Sequence, residues 1–298
     1  MAPLGATLAT VLLLQAAASE FQFPTYPIGP QRVALGGGGS VLSLDAEAGL
    51  NPAALGDGPR ASLHRFAGYA GYGGTLLAGV LRAQSGHAVG VAVRRFAWDR
   101  VIEDDLGPGT ADLEVSQTQV SISGAAKLTS HVRLGATLSR LIANNLGVIT
   151  AGSSYSIGAI IQASWGGRLG LALRNEGRAV LPISGDVRYP LPTRLRIGAA
   201  QGVSFFGRRL TLATDFETRV RESTDPAVHI GAECWLSPVV ALRSGYEDAA
   251  SVDSPGRWES RLSAGLGVRL KVLDLGFAAR SGGAIQGYEL FLGIDAFR

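Results

Sequence analysis

The sequence predicts an all-β fold: a transmembrane, antiparallel, up-and-down β-barrel of about 14 strands with an N-terminal plug, or hatch, segment. Three observations carry this. First, the 298-residue chain is 46% hydrophobic and only 17% charged, yet after residue 20 no run of about 18 apolar residues could cross a membrane as a helix. The other structure that satisfies its own backbone in lipid is a closed barrel. Second, from residue 61 onward the hydrophobic period is close to two, the strand period. Third, the polar faces of the alternating segments carry Arg with Asp and Glu, and glycine is frequent at 41 residues. A soluble sandwich would show water a face of Lys, Glu and Thr instead. Ion-paired Arg suits a confined lumen.

Residues 1–19 read as a secretory signal. The stretch 4–18, LGATLATVLLLQAAA, is an apolar core ending in small residues, and Ala17-Ala18-Ser19 offers a cleavage site before Glu20. The charge ahead of that core is the amino terminus alone. Residues 20–60 form the plug segment and 61–298 the barrel, which places the protein in a bacterial outer membrane with lipid as its surroundings.

The strand candidates are 61–72, 74–83, 86–97, 113–127, 131–143, 148–165, 168–176, 191–204, 208–222, 226–236, 238–247, 257–270, 271–281 and 285–297. In 210–221, Leu210, Leu212, Phe216 and Val220 share one face and Asp215, Glu217, Arg219 and Arg221 the other. In 257–270, Trp258, Leu262, Leu266, Val268 and Leu270 oppose Arg257, Glu259, Arg261 and Arg269. Val240, Leu242 and Tyr246 oppose Arg243 and Glu247, and Leu273, Leu275 and Phe277 oppose Asp274 and Arg280. Lipid outside and a polar lumen inside demand this dyad alternation. Most connections are tight. Three are longer: 98–112, 177–190 and 248–256. The first carries Asp99, Glu103, Asp104, Asp105 and Asp112 and reads as a solvated acidic loop. The chain closes on FLGIDAFR, with Leu290, Leu292 and Ile294 in alternation and Phe297 penultimate.

Over the last seven strands the positions expected to face inward are Arg194, Arg196, Asp215, Glu217, Arg219, Arg243, Glu247, Glu259, Arg261, Arg269, Asp274, Arg280 and Asp295. Opposite charges there are expected to pair across the lumen, because unpaired they would need water.

The least regular stretch is 36–58, GGGGSVLSLDAEAGLNPAALGDG, just ahead of the first strand. A lumen about 14 strands wide is too broad for wall side chains alone to fill. Gly36, Gly37, Gly38 and Gly39 permit close backbone packing and turns closed to other residues. Pro52 fixes one dihedral and biases Asn51 toward an extended conformation, making Asn51-Pro52-Ala53 a rigid corner. Asp45 heads an acidic patch between the two. Val41, Leu42, Leu44, Leu50 and Leu55 argue against a free leader. These residues read as a plug.

Enzymatic readings find little purchase. His64, His87, His131 and His229 are scattered, with no H-E-x-x-H. GGGGS is not followed by G-K-[ST], and no G-x-S-x-G is present. No cofactor or metal is expected. Cys234 is the only cysteine, so no intramolecular disulfide is possible. The net charge is +3, and basic and acidic residues are interleaved without a basic face, so nucleic acid is not an expected partner.

Ala34-Leu35-Gly36-Gly37-Gly38-Gly39, then Asp45-Ala46, then Asn51-Pro52-Ala53 with Leu55, resembles the opening of PorV/PorQ-type outer-membrane proteins, part of a broader FadL-like group of 14-stranded barrels with an N-terminal hatch. Segments 170–177, 191–200, 241–247 and 264–278 resemble that family's later strands, so the likeness covers most of the mature chain. Gly49-Leu50 stands where the family has an aromatic pair, and Ala54 where Gly is common. The resemblance implies a role in protein secretion or surface attachment of the type IX kind, with secretion-system proteins or exported cargo as partners. The broader group implies uptake of hydrophobic small molecules instead.

Overall fold

The computed structural model describes residues 26–68, 72–98, 115–145, 148–181, 187–220, 226–250, 258–282 and 288–296. The expected signal at 1–19, the acidic residues of the expected first long loop, Arg221, Arg257, and Phe297 with Arg298 lie outside these.

Among the described residues, fifteen strands follow two short helical turns. α1 is Pro30–Ala34, and a 3-10 turn spans Pro52–Ala54. The strands are β1 (Ala61–Gly68), β2 (Tyr72–Arg82), β3 (Ala88–Trp98), β4 (Val115–Lys127), β5 (Val132–Asn145), β6 (Val148–Gln162), β7 (Arg168–Leu181), β8 (Val187–Pro190), β9 (Arg194–Phe205), β10 (Arg208–Arg219), β11 (Ala227–Trp235), β12 (Val240–Ala250), β13 (Trp258–Leu270), β14 (Leu273–Gly282) and β15 (Tyr288–Ala296). Each wall strand pairs antiparallel with its neighbours in sequence, and β1 pairs with β15 over its whole length, Ala61 opposite Ala296 and Gly68 opposite Glu289. The barrel is therefore closed.

β8 is not a fifteenth wall strand. It pairs with the end of β7 between Arg178 and Leu181, whereas β9 takes the lower part of β7 between Arg168 and Arg174. That leaves 14 strands around the wall, the even number that antiparallel closure requires. The expected long loop at 177–190 is corrected here: β7 runs on to Leu181 and β8 lies along it. The reason is a β-bulge. Tyr155 pairs with Glu176 and Ile157 with Leu173, so β7 spends one residue more than β6, and Asn175 takes a φ of 57°. The additional residue re-phases the alternation, which is why a strict period of two stops at 176.

Solvent exposure is inverted relative to a soluble protein. On β10, Leu212 and Phe216 are 46% and 44% exposed while Asp215 and Glu217, on the other face, are 2% and 4% exposed. The same holds around the wall: Leu63, Leu77, Val91, Ile122, Leu138, Ile157, Leu262 and Leu292 point outward. Such an exterior is stable only where lipid covers it.

The two ends differ. The turns at 83–87, 128–131, 163–167, 206–207, 236–239 and 271–272 are short and lie at one end, where the N-terminal segment also joins β1 and Arg60 N donates to Ala296 O at 2.9 Å. In barrels of this kind short turns face the periplasm and long loops the exterior.

Candidate functional site

The inner surface of the wall and residues 26–60 build one another. In this segment nearly every described residue is buried, including Ile28, Val33, Leu35, Val41, Asn51 and Ala53. Pro30 opens α1, where its missing N–H is not needed. Contrary to the expectation of purely irregular chain, α1 and the 3-10 turn are helical. Both are single turns held by tertiary contacts rather than by propensity.

The glycine run follows α1. Gly36, at a φ of 67°, donates its N–H to Ser263 Oγ at 3.1 Å, and its carbonyl accepts from His229 Nδ1 at 2.8 Å. Arg196 donates to Gly37 O at 2.5 Å. Gly38 lies beside Asp215 and His229, and Gly39 turns the chain at a φ of 83°. Ser40 then donates both its N–H, at 3.1 Å, and its hydroxyl to Asp215. The run thus crosses β10–β13, and its backbone groups are satisfied by wall side chains.

Asp45 pairs with Arg32 at 2.9 Å inside the segment. Two residues on, Glu47 accepts from Arg94 of β3 at 2.5 Å. Burial by itself would raise the Glu47 carboxyl, but Arg94 and Arg32 outweigh it and hold it below the ordinary carboxylate range. Asn51 is extended, at a φ of −150°, and caps the 3-10 turn: its Oδ1 accepts from Ala53 N at 3.0 Å. Its Nδ2 donates to Ala159 O at 3.2 Å, reaching β6. Pro52 starts the turn, which lies on β4, β5 and β6.

The wall meets this backbone with glycine. Among the described residues, inward glycines face each other across five ladders: Gly135 and Gly158, Gly170 and Gly198, Gly231 and Gly245, Gly267 and Gly276, Gly276 and Gly293. A Cβ at Gly245 would enter the backbone of Leu35 and Gly36, and one at Gly135 that of Pro52 and Ala53. These are close-approach glycines. The sequence reading missed them, although their inward phase was legible once the strands were placed.

All the inward charges expected on β9–β14 do face inward. Glu217 accepts from Arg174 at 3.1 Å, Arg194 at 2.7 Å and Arg196 at 3.0 Å. Arg243 meets Glu233 at 2.8 Å, Arg261 meets Glu247 at 3.1 Å and Glu259 at 3.6 Å, and Arg269 meets Asp274 at 2.8 Å. Arg280 meets Glu289 at 2.5 Å, and Asp295 accepts from His64 at 3.0 Å and Gln31 at 3.2 Å. Arg219 lies inward near the loop end of β10. The geometry corrects one expectation: these pairs run along the wall between near strands, not across the lumen. A tilted strand places residues of adjacent strands within side-chain reach, whereas the opposite wall lies beyond it. What reaches across is the N-terminal segment. Arg174, Glu233, Glu289, Arg94 and Glu47 complete the network and were not singled out from sequence.

The inner surface divides into three sectors. β7 and β9–β15 carry most of the ion pairs, while Arg94 of β3 and Arg133 of β5 pair with the N-terminal segment. β1–β3 with β15 carry an aromatic cluster in the loop-side half: Tyr26 packs on Phe66 with centroids 5.2 Å apart, and Phe66 on Phe96 at 5.7 Å and Phe291 at 5.3 Å. β4–β6 are neutral there. Gln117, Gln119, Ser121, Ser123, Thr137 and Ser139 face inward, and among the described residues the Thr150 and Ser154 hydroxyl oxygens have no hydrogen-bond partner.

A closed barrel of 14 antiparallel strands, apolar outside and polar within, is a transmembrane β-barrel of the bacterial outer membrane. Its fold is similar to that of solved FadL-type channels. The CymD monoaromatic hydrocarbon channel superposes with a TM-score of 0.65 at 15% identity, over 91% of this chain and 98% of that one. The Pseudomonas putida toluene transporter TodX gives 0.64 at 13%, over 90% and 96%. A Pseudomonas aeruginosa FadL homologue gives 0.62 at 10%, over 92% and 99%. No family model matches the chain, and no curated protein sequence matches it.

Proposed function

We propose that the protein is a FadL-type channel that lets uncharged hydrophobic small molecules, of the size of a monoaromatic hydrocarbon, cross the outer membrane without catalysis. The observation that carries this reading is the burial of residues 26–60 against the inner wall, with their polar groups bonded to it. We read that segment as a hatch, which favours selective passage over open aqueous diffusion. The three solved channels of similar fold are described as hydrocarbon or FadL-type channels, which supports the same reading.

The charged lumen does not oppose it. Most ion pairs lie on β7 and β9–β15, so apart from Arg94 and Arg133 a neutral molecule meets the aromatic and hydroxyl-lined surfaces of β1–β6. A secretion role of PorV/PorQ type rests on the N-terminal glycine and Asn-Pro motif, and it is the competing outcome of the test. Cells lacking hydrocarbon channels of their own are given the gene, and uptake of labelled toluene is compared with that of labelled glucose. Faster toluene uptake with unchanged glucose uptake supports the channel. Unchanged uptake of both, with exported proteins co-purifying from gently solubilised membrane, overturns it in favour of secretion.

A further inference from the structure

On the loop side, and among the described residues, the outer wall places its arginines on one half. Arg65 on β1, Arg95 on β3, Arg140 on β5 and Arg178 on β7 all face outward and are exposed. Register sets them in two rungs. Arg65 lies opposite Thr75, which lies opposite Arg95. Arg140 lies opposite Ser153, which lies opposite Arg178. Each rung spans two strand spacings, about 10 Å, with a hydroxyl at its centre. Arg140 Nη1 already donates to Ser153 Oγ at 3.0 Å.

The corresponding loop-side positions of β9–β15 differ. Among the described side chains they hold no Arg or Lys; Phe216, Val220, Trp258, Leu262 and Leu290 stand there instead. The asymmetry is therefore not a property of the barrel rim in general.

Height matters too. The arginines sit three residues inside the loop ends of β1, β3 and β7, and five inside that of β5. On the turn side of them the same face is apolar: Leu63, Leu77, Val93, Val91, Val89, Leu138, Leu134, Ile157 and Ile161. From Arg95 to Val89 the strand covers on the order of 15 Å of wall height at the usual tilt. The rungs thus border the apolar band on its outer side. An arginine facing lipid is costly at the bilayer midplane and nearly free of cost at the headgroup level. Two guanidinium groups flanking a hydroxyl bring together the kind of N–H and O–H donors that a phosphate accepts, guanidinium doing so through paired hydrogen bonds.

We propose that the outer face of β1–β7 is a binding site for the phosphorylated headgroup of an outer-leaflet glycolipid, with each Arg–hydroxyl–Arg rung taking one phosphate. The site lies outside the lumen and is independent of what passes through it.

The test uses the full chain purified in detergent, titrated with bisphosphorylated lipid A and followed by native mass spectrometry. Dephosphorylated lipid A and inorganic phosphate serve as the other two probes. The expected result is that the bisphosphorylated lipid is retained, the dephosphorylated one is not, and millimolar phosphate fails to displace the lipid. Arg140→Gln with Arg178→Gln weakens binding by about 5-fold per arginine, as does Arg65→Gln with Arg95→Gln. Folding of each variant is checked by its heat-dependent gel mobility. If the variants do not fold, the comparison of the two lipids on the unaltered protein still decides. Equal retention of both lipids overturns the site, as does unchanged binding by folded variants. Displacement by phosphate alone overturns the lipid as its ligand. Retention of neither lipid also overturns it, and would leave carboxylates of this chain as the partners of the rungs.

Discussion

Glu217 is the carboxylate on which the lumen network turns. It is 4% exposed and accepts from Arg174, Arg194 and Arg196 at 2.7 to 3.1 Å. Replacing it by Gln keeps the volume and removes the charge. Arg196 retains Asp215 at 3.4 Å, but Arg174 and Arg194 lose the Glu217 anion they share. Breaking a buried pair by deleting one partner costs about 3–5 kcal/mol, because a buried charge is left uncompensated. At about 1.4 kcal/mol per tenfold, even the lower figure is more than a 100-fold shift in the unfolding equilibrium. The assay is denaturant unfolding of the barrel in lipid vesicles, followed by tryptophan fluorescence. Adding Arg194→Gln to Glu217→Gln should recover part of the loss, giving a coupling energy by double-mutant cycle. A loss below about 1 kcal/mol, the value for an exposed pair, would refute the reasoning. It would mean that lumen water, not Glu217, neutralises these arginines.

Other outcomes follow from the seat of the N-terminal segment. Asn51→Ala removes the cap of the 3-10 turn and the bond to Ala159 O, and should raise ion conductance in a planar bilayer several-fold by loosening the hatch. Gly245→Val drives a side chain into Leu35 and Gly36, and should expose residues 26–60 to added protease while the wall stays heat-modifiable on gels. The Glu47 carboxyl is held low by Arg94 and Arg32, so its contribution is complete above the unfolded value of about 4.3 and is lost as pH falls through the depressed folded value. Conductance should therefore be the same at pH 5 and pH 7, whereas Glu47→Gln should leak at both; a leak that appears in the unaltered protein between pH 7 and 5 would contradict this.

Alternation in 210–221 alone separates Asp215 and Glu217 from Leu212 and Phe216, and the barrel sorts them in that way. That much is local: a pleated strand sends successive side chains to opposite faces whatever its neighbours do. The glycine run and Asn51-Pro52 likewise announce a segment that cannot be strand. The number of strands in the wall was also legible, since each turn is marked by its own residues.

Partnership was not legible. Glu217 could have paired with any inward arginine, and only register brings Arg174, Arg194 and Arg196 to it together. The bulge at Asn175, the seating of Leu35 and Gly36 against Gly245, and the ladder from Arg140 through Ser153 to Arg178 depend on which residues stand opposite each other. Sequence alone determined which face each residue of an unbulged strand would take, because that follows from backbone geometry over a few residues. Only the tertiary structure decided who meets whom on that face, because closure of 14 strands fixes stagger and register through contacts far apart in the chain.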